Sequence, residues 1–212
     1  MKTKKLLVCA MMIAMATGIA FVSDMIPFLH LPFGGSFTIA GMLPIILASY
    51  MFGIKWGLGC AFTYSVIQLL ISFRTVSAFF LPDSDFQLAA AILICFIDYI
   101  LAYTLLGFGG AFRKMKNRTA GLLLGVILAV LLRYAAHILS GYIFYGEWAE
   151  WFFTQEGFYS IGEKVVNVFS GKALALIYSI VYNGLYMIPE LIITAVVSIP
   201  VSKLKVMERA SR

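Results

Sequence analysis

Charged residues are scarce in this chain of 212 residues, which excludes most classes of soluble protein. Asp, Glu, Lys and Arg together make up 12% of the sequence, whereas apolar residues make up 62%. A soluble domain is about a quarter charged and about half apolar. The mean hydropathy of +0.95 agrees with this difference. The composition therefore predicts a polytopic membrane protein, built as one compact bundle without a second domain.

Histidine and cysteine are also rare, and those present do not form a known metal or redox pattern. The two histidines, His30 and His137, are far apart, and the three cysteines lie in apolar runs without Cys-x-x-Cys spacing. The sequence also lacks the phosphate-binding Gly-x-x-x-x-Gly-Lys-Ser/Thr loop and the Gly-x-Ser-x-Gly nucleophile elbow. We therefore expect no metal site, no cofactor and no catalytic residues.

Six apolar stretches are long enough to cross a bilayer, which takes about 20 helical residues. They run over residues 6–27, 37–54, 56–73, 86–112, 119–145 and 173–202. The expected fold is all-α, a bundle of six transmembrane helices, with a kink at Pro44 in the second. The long loop 146–172 is acidic and aromatic, and part of it is expected to form a short helix at the membrane interface.

Basic residues are concentrated on one side of this predicted bundle. Three lie at the amino end, one is Lys55, four lie between the fourth and fifth stretches and four lie in the tail, which makes twelve of the sixteen. Because cytoplasmic loops carry the excess of Lys and Arg, both termini are expected in the cytoplasm, with the chain in the cell membrane. This orientation accounts for the net charge of +6 without a nucleic-acid partner.

Polar and ionisable side chains interrupt three of the apolar stretches. Arg133 and His137 are four residues apart and share a helix face. Asp98 lies in the fourth stretch, and Tyr178 and Asn183 lie in the sixth. Ionisable groups are costly in a bilayer and usually face a cavity or a partner. Two interpretations remain open, namely a pocket for a small, flat, cationic ligand and an internal network in which Asp98 pairs with Arg133.

Small side chains recur every four residues in the first stretch, at Ala10, Ala14 and Gly18. Such a strip allows another helix to approach closely. The approaching helix belongs either to a partner protein or to this bundle, and the sequence alone leaves both interpretations open.

Four segments carry a resemblance to a known family. They are Gly34-Gly-Ser-Phe-Thr, Ile97-Asp-Tyr-Ile, the Arg-Tyr-Ala-Ala-His run within residues 132–145, and Tyr178-Ser-Ile-Val-Tyr-Asn-Gly. With six spans of about this length, the chain resembles the thiamine-specific substrate-binding (S) component of energy-coupling factor transporters over nearly its whole length. The resemblance implies capture of external thiamine for uptake driven by a membrane coupling subunit and two ATPase subunits.

The resemblance also implies roles for individual residues. The residues that would bind thiamine are Asp98, Tyr99, His137, Tyr145, Tyr178 and Asn183, with Tyr145 as the aromatic that stacks on the ligand ring. Ala10 and Ala14 would meet the coupling subunit. Where the family carries a Glu and a first-loop Trp, this chain has Asp98 and the Gly34–Gly35 region, so Phe33 or Phe37 is expected to cover the ring.

Three alternatives accompany this interpretation. The chain is an S component for another vitamin, or it is a stand-alone proton-coupled transporter that uses Asp98 and Glu190 as relays. Glu190 has no counterpart in the family pattern. A membrane-embedded enzyme is disfavoured because no set of nucleophile and base is visible.

Overall fold

The computed structural model describes residues 2–31, 35–82, 84 and 86–205, and these are almost entirely helical. The described helices are, in chain order, α1 (Lys2–Asp24), α2 (Leu43–Phe52), α3 (Ile54–Ile71), α4 (Phe73–Ala78), α5 (Leu88–Gly110), α6 (Arg118–Phe144), α7 (Ala149–Phe153), α8 (Tyr159–Val168) and α9 (Gly171–Ser202). Short 3-10 turns lie at Pro27–Leu29, Gly146–Trp148 and Glu156–Phe158. The predicted all-α class is confirmed.

Five of the described helices, α1, α3, α5, α6 and α9, are long and apolar enough to cross a membrane. Their observed bounds differ from the predicted ones by at most four residues. The expectation of a polytopic membrane protein is confirmed.

The second predicted span differs, because only Leu43–Phe52 is helical and residues 37–42 are not. Pro44 lies in the first turn of α2, where a missing N–H costs nothing, so it begins a helix and does not kink one. The backbone N–H of Thr38 donates instead to Glu190 Oε2 at 2.5 Å. Non-helical backbone at membrane depth is tolerated where protein groups satisfy it in this way.

The bundle has one closely packed end, which holds the α2–α3 turn and the α5–α6 loop; we call it the tight end. Ser49 donates to the carbonyl oxygen of Gly107 at 2.5 Å and accepts from the backbone N–H of Gly110 at 2.9 Å. A Cβ at Gly125 would lie 2.0 Å from the carbonyl oxygen of Gly109, so α5 and α6 touch backbone to backbone there. We call the opposite end, where α6 ends and α9 begins, the cavity end.

The two long predicted loops contain short helices at the cavity end. Helix α4 lies in the loop predicted at 74–85, and α7 and α8 lie in the loop 146–172, where a short helix was expected. Phe152 and Phe153 of α7 are buried against α9, whereas Trp148 and Trp151 remain about half exposed. This loop therefore covers the beginning of α9 and presents its tryptophans at the rim of the bundle.

Candidate functional site

A cavity of about 700 Å³ opens at the cavity end between α5, α6 and α9; we call it the outer cavity. Its rim includes Trp148 and Trp151, and its walls are mostly aromatic and polar. All six residues predicted to bind a ligand line it: Asp98, Tyr99, His137, Tyr145, Tyr178 and Asn183. Residues that are far apart in sequence thus lie around one cavity, at a similar depth in the bundle, as the sequence predicts.

Asp98 lies in a π-helical segment, Cys95–Leu101, in the middle of α5, which ends in a 3-10 segment at Leu105–Gly110. Such wide turns are rare and occur frequently at functional sites, because they shift the direction of the side chains that follow. The Asp98 carboxylate accepts from Ser140 Oγ at 2.7 Å and lies 2.9 Å from His137 Nδ1. Its side chain is 18% exposed, towards the outer cavity.

Arg133 continues this network one turn deeper on α6. Its Nε lies 3.3 Å from His137 Nε2, and its guanidinium carbon lies 4.0 Å from the centre of the Tyr103 ring. The ion pairs found among the described residues are His137–Asp98 and the exposed His30–Asp24 pair. The direct pairing of Asp98 with Arg133, one of the two sequence interpretations, is therefore not observed, because His137 lies between them.

Asn183 holds α6 and α9 together beside this network. Its side-chain amide donates to the carbonyl oxygens of Ser179, at 2.8 Å, and His137, at 3.2 Å, and its Oδ1 accepts from the Tyr186 hydroxyl. Gly141 permits this contact, since a Cβ there would lie 2.2 Å from Ser179 Oγ. Asn183 therefore positions the backbone under His137 as well as lining the outer cavity.

Aromatic rings form the opposite wall of the outer cavity. Tyr178 and Tyr182 have ring centres 5.6 Å apart, and Tyr178 packs edge to face on Phe152 at 5.3 Å. Tyr145 packs edge to face on Phe86 at 5.3 Å. Aromatic faces held in this way offer stacking surfaces for a flat ring and attract a cation.

A smaller cavity of about 350 Å³ adjoins it between α1, α3 and α9 and reaches Glu190, and we call it the inner cavity. The two cavities share lining residues, among them Arg133, Tyr103 and Tyr186. The buried Glu190 lines the inner cavity and accepts two hydrogen bonds from Thr38. Phe37, one of the two residues expected to cover the ligand ring, lines the inner cavity and not the outer one, and Phe33 lies outside the described residues.

The small-residue strip of α1 faces outwards. Ala10, Ala14 and Gly18 are all exposed, and a Cβ at Gly18 would meet no atom within 4 Å. Cys9 and Ala16 on the other face of α1 are buried in the bundle. The interpretation that the strip packs inside this chain is therefore wrong.

Comparison with known proteins places the chain in a family. The sequence profile of a family described as thiamine transporter protein matches residues 10–167. The chain belongs to this thiamine transporter family. It is a transport protein and not an enzyme, and the resemblance inferred from the sequence is confirmed at the level of the family.

Two relatives of the thiamine transporter family illustrate the extent of the similarity. The thiamine transporter ThiT of Bacillus subtilis (strain 168) is 32% identical over 209 residues, which cover 93% of this chain and 91% of that protein. The solved structure of ThiT from Listeria monocytogenes has a TM-score of 0.64 at 22% identity and covers 99% of this chain and 98% of that one. The similarity to the Listeria monocytogenes structure supports the overall helical fold of this chain.

Sequence reasoning missed several cavity residues of this thiamine transporter family member. Tyr182 and Tyr186 line the outer cavity with Tyr178, and Tyr103 lines it with Tyr99. Both sets recur at intervals of four residues, which places them on one helix face. This spacing is visible in the sequence and would have predicted them. The described residues contain no group of three His, Cys, Asp or Glu side chains placed to hold a metal ion.

Proposed function

We propose that the outer cavity binds thiamine and that the chain is the thiamine-binding S component of an energy-coupling factor importer. The observation that carries this proposal is a carboxylate, Asp98, set in the wall of an aromatic cavity of about 700 Å³. Small-molecule sites have volumes of about 300–1,000 Å³ and few, well-placed polar groups. Thiamine combines a fixed thiazolium charge, a flat aminopyrimidine ring and hydrogen-bonding edges, and this wall complements all three.

In the proposed complex, Asp98 supplies the negative charge. Its two oxygens are held by His137 and Ser140, so the carboxylate is oriented before the ligand arrives. Each oxygen retains a second lone pair, and the side chain is exposed to the outer cavity. Once the ligand has displaced water from the carboxylate, such a charge-assisted contact contributes roughly 1.5–3 kcal/mol.

The aromatic and polar walls would then fix the rings of the ligand. Tyr145 and Tyr178 offer ring faces for stacking, and Tyr99 adds a phenol hydroxyl on the α5 side. His137 and Asn183 use their polar atoms within the protein, so their proposed role is mainly to orient Asp98 and the α6 backbone. The site therefore needs no cofactor beyond thiamine itself as the transported ligand.

The partners would meet the chain at α1. Ala10 and Ala14 lie on an exposed face, and small residues permit the close approach of a helix from a membrane coupling subunit. In this proposal the coupling subunit links the chain to two ATPase subunits, and lipid covers the remaining outer surface. The tight end carries the basic residues and would face the cytoplasm with both termini, which leaves the outer cavity open to the cell exterior.

Calorimetric titration of the purified protein tests the binding proposal. Thiamine should bind, whereas riboflavin and biotin, which lack a fixed cationic ring, should not. Binding of another vitamin in preference to thiamine would contradict the assignment. The alternative of a stand-alone proton-coupled transporter is tested by reconstituting the chain alone in vesicles with a proton gradient. Thiamine uptake in the absence of partner subunits would support that alternative.

A further inference from the structure

We propose that Arg133 is a positioning residue that keeps His137 in the neutral form with its proton on Nδ1, so that Asp98 faces the ligand as an uncompensated carboxylate. The proposal concerns the proton arrangement in the cavity wall, and its consequence for ligand affinity rests on the proposed function. Three contacts along one chain of side chains carry it.

The first contact is between Arg133 and His137. Arg133 Nε lies 3.3 Å from His137 Nε2. A guanidinium can only donate hydrogen bonds and keeps its charge in proteins, so Nε2 must act as the acceptor. A nitrogen that accepts carries no proton, and an imidazolium cannot satisfy this contact because both of its nitrogens are donors.

The second contact fixes the other imidazole nitrogen. In the neutral ring the remaining proton resides on Nδ1, which lies 2.9 Å from Asp98 Oδ1. His137 therefore donates to the carboxylate without bringing a positive charge to it. Ser140 donates to the second carboxylate oxygen at 2.7 Å, again without adding charge.

The third set of contacts surrounds the guanidinium of Arg133, which borders both cavities. Its guanidinium lies over the Tyr103 ring at 4.0 Å, and the buried side chain of Glu190 lines the inner cavity with it. Arg133 Nη1 also lies 2.8 Å from the sulfur of Met42, at the start of α2. Arg133 is thus engaged by these groups and by His137, and it makes no direct ion pair with Asp98.

Among the titratable groups that face His137, Arg133 is the cation. Asp98 faces it from α5, Arg133 from α6, and Tyr186 from α9, with ring centres 5.9 Å apart. The other titratable residues of the outer cavity are Asp24, His30, Tyr99, Tyr103, Tyr145, Tyr178 and Tyr182. Within the described residues no lysine lines either cavity.

The arrangement has a consequence for a cationic ligand. If His137 took up a second proton, it would form an ion pair with Asp98 and cancel the charge that attracts the ligand. Because Arg133 occupies Nε2, we expect thiamine affinity to change by no more than about twofold between pH 8 and pH 5.5. In Arg133→Met the nitrogen becomes free to take a proton, and affinity should fall about tenfold over the same range.

Two measurements test the proposal. The chain has two histidines, so nitrogen-15 labelling of histidine, with the His30→Gln variant for assignment and a purification tag free of histidine, reports the His137 ring directly. In the absence of thiamine we expect a protonated Nδ1 and an unprotonated Nε2 from pH 5.5 to 8. A proton on Nε2 anywhere in this range would overturn the proposal whether or not thiamine binds, and loss of thiamine binding with the expected spectrum would overturn the proposed function alone.

The second measurement is the pH profile of thiamine affinity. Arg133→Met should show the tenfold loss, and the double variant Arg133→Met/His137→Gln should be as insensitive to pH as the unaltered protein. A flat profile in Arg133→Met would contradict a positioning role. If Arg133→Met does not fold, the labelled histidine spectrum of the unaltered protein still decides the matter.

Discussion

At the tight end neighbouring helices touch backbone to backbone, whereas at the cavity end the same helices are separated by tyrosines and ionisable side chains. Gly125 and the buried Ser49 mark the first arrangement, and Asp98, Arg133 and His137 mark the second. Helices α5 and α6 take part in both. The comparison indicates that a closely packed half supports a half that must keep an open, polar volume.

Each end satisfies its polar groups differently. At the tight end, hydroxyl and guanidinium groups bond to backbone, as Ser49 does to Gly107 and Gly110 and as Arg113 does to the carbonyl oxygens of Tyr50 and Met51. At the cavity end, Asn183 also bonds to backbone, but the Arg133–His137–Asp98 series adds bonds from side chain to side chain. Substitutions should therefore affect folding at the first end and ligand binding at the second.

The largest expected effect is on folding, from Gly125→Leu at the tight end. The new side chain would meet the Gly109 carbonyl oxygen, which is backbone and cannot move aside. Overpacking typically costs about 1–3 kcal/mol, and a clash with backbone belongs at the upper end of this range. We expect loss of monodisperse protein, or a large fall in melting temperature, in size-exclusion and thermal-unfolding measurements. Gly59→Leu is the matched control, because a Cβ at Gly59 meets nothing within 4 Å; equal damage from both would contradict the assignment of a close backbone contact.

The next effect is on transport, from Ala14→Trp on the exposed strip of α1. The large ring should prevent close approach of the coupling subunit and abolish thiamine uptake by the assembled transporter, with thiamine binding by the isolated chain near normal. Leu176→Trp, on an exposed position of α9, is the control and should retain uptake. Uptake that survives Ala14→Trp would show that the partner binds elsewhere.

A smaller effect is expected from Asp98→Asn in the outer cavity. The amide keeps an acceptor for His137 and a donor for the Ser140 oxygen, so the melting temperature should hardly change. Loss of the charge should weaken thiamine binding about ten- to a hundredfold, at roughly 1.4 kcal/mol per decade. Glu163→Gln is the control, because that carboxylate is exposed on α8, lines neither cavity and is screened by water. A lowered melting temperature with unchanged affinity would mean that Asp98 serves only the fold.

The smallest effect is expected from Tyr145→Ala. Loss of a stacking face is worth about 1 kcal/mol, which corresponds to about fivefold in the dissociation constant for thiamine. Tyr145→Phe retains the ring and should bind nearly as the unaltered protein does. If Tyr145→Phe weakens binding as much as Tyr145→Ala, the hydroxyl and not the ring face makes the contact.

Much of this arrangement can be predicted from the sequence, because the bilayer imposes a strong constraint. Long apolar stretches must be helical there, and ionisable residues within them must face a cavity or a partner. This reasoning placed Asp98, His137 and Asn183 at one level. It also left open whether the α1 strip faces outwards, since the spacing of small residues does not depend on what lies opposite.

Other features depend on contacts that the local sequence does not record. The segment 37–42 is apolar enough to be helical, yet Glu190, 152 residues away from Thr38, holds it in a non-helical form. The π-helical turn around Asp98 has no residue pattern of its own. The separation of Asp98 from Arg133 by His137 follows from the packing of α5 against α6. The spacing of residues along a single helix does not predict this packing.

The most direct test of the central claim locates thiamine by the three tryptophans of the chain. Trp148 and Trp151 line the outer cavity, whereas Trp56 lies at the tight end under Lys5. Thiamine should change the tryptophan emission of the unaltered protein and of Trp56→Phe. The double variant Trp148→Phe/Trp151→Phe should lose this change while calorimetry still detects binding. An emission change that survives in the double variant and disappears in Trp56→Phe would place the ligand at the tight end and contradict the account.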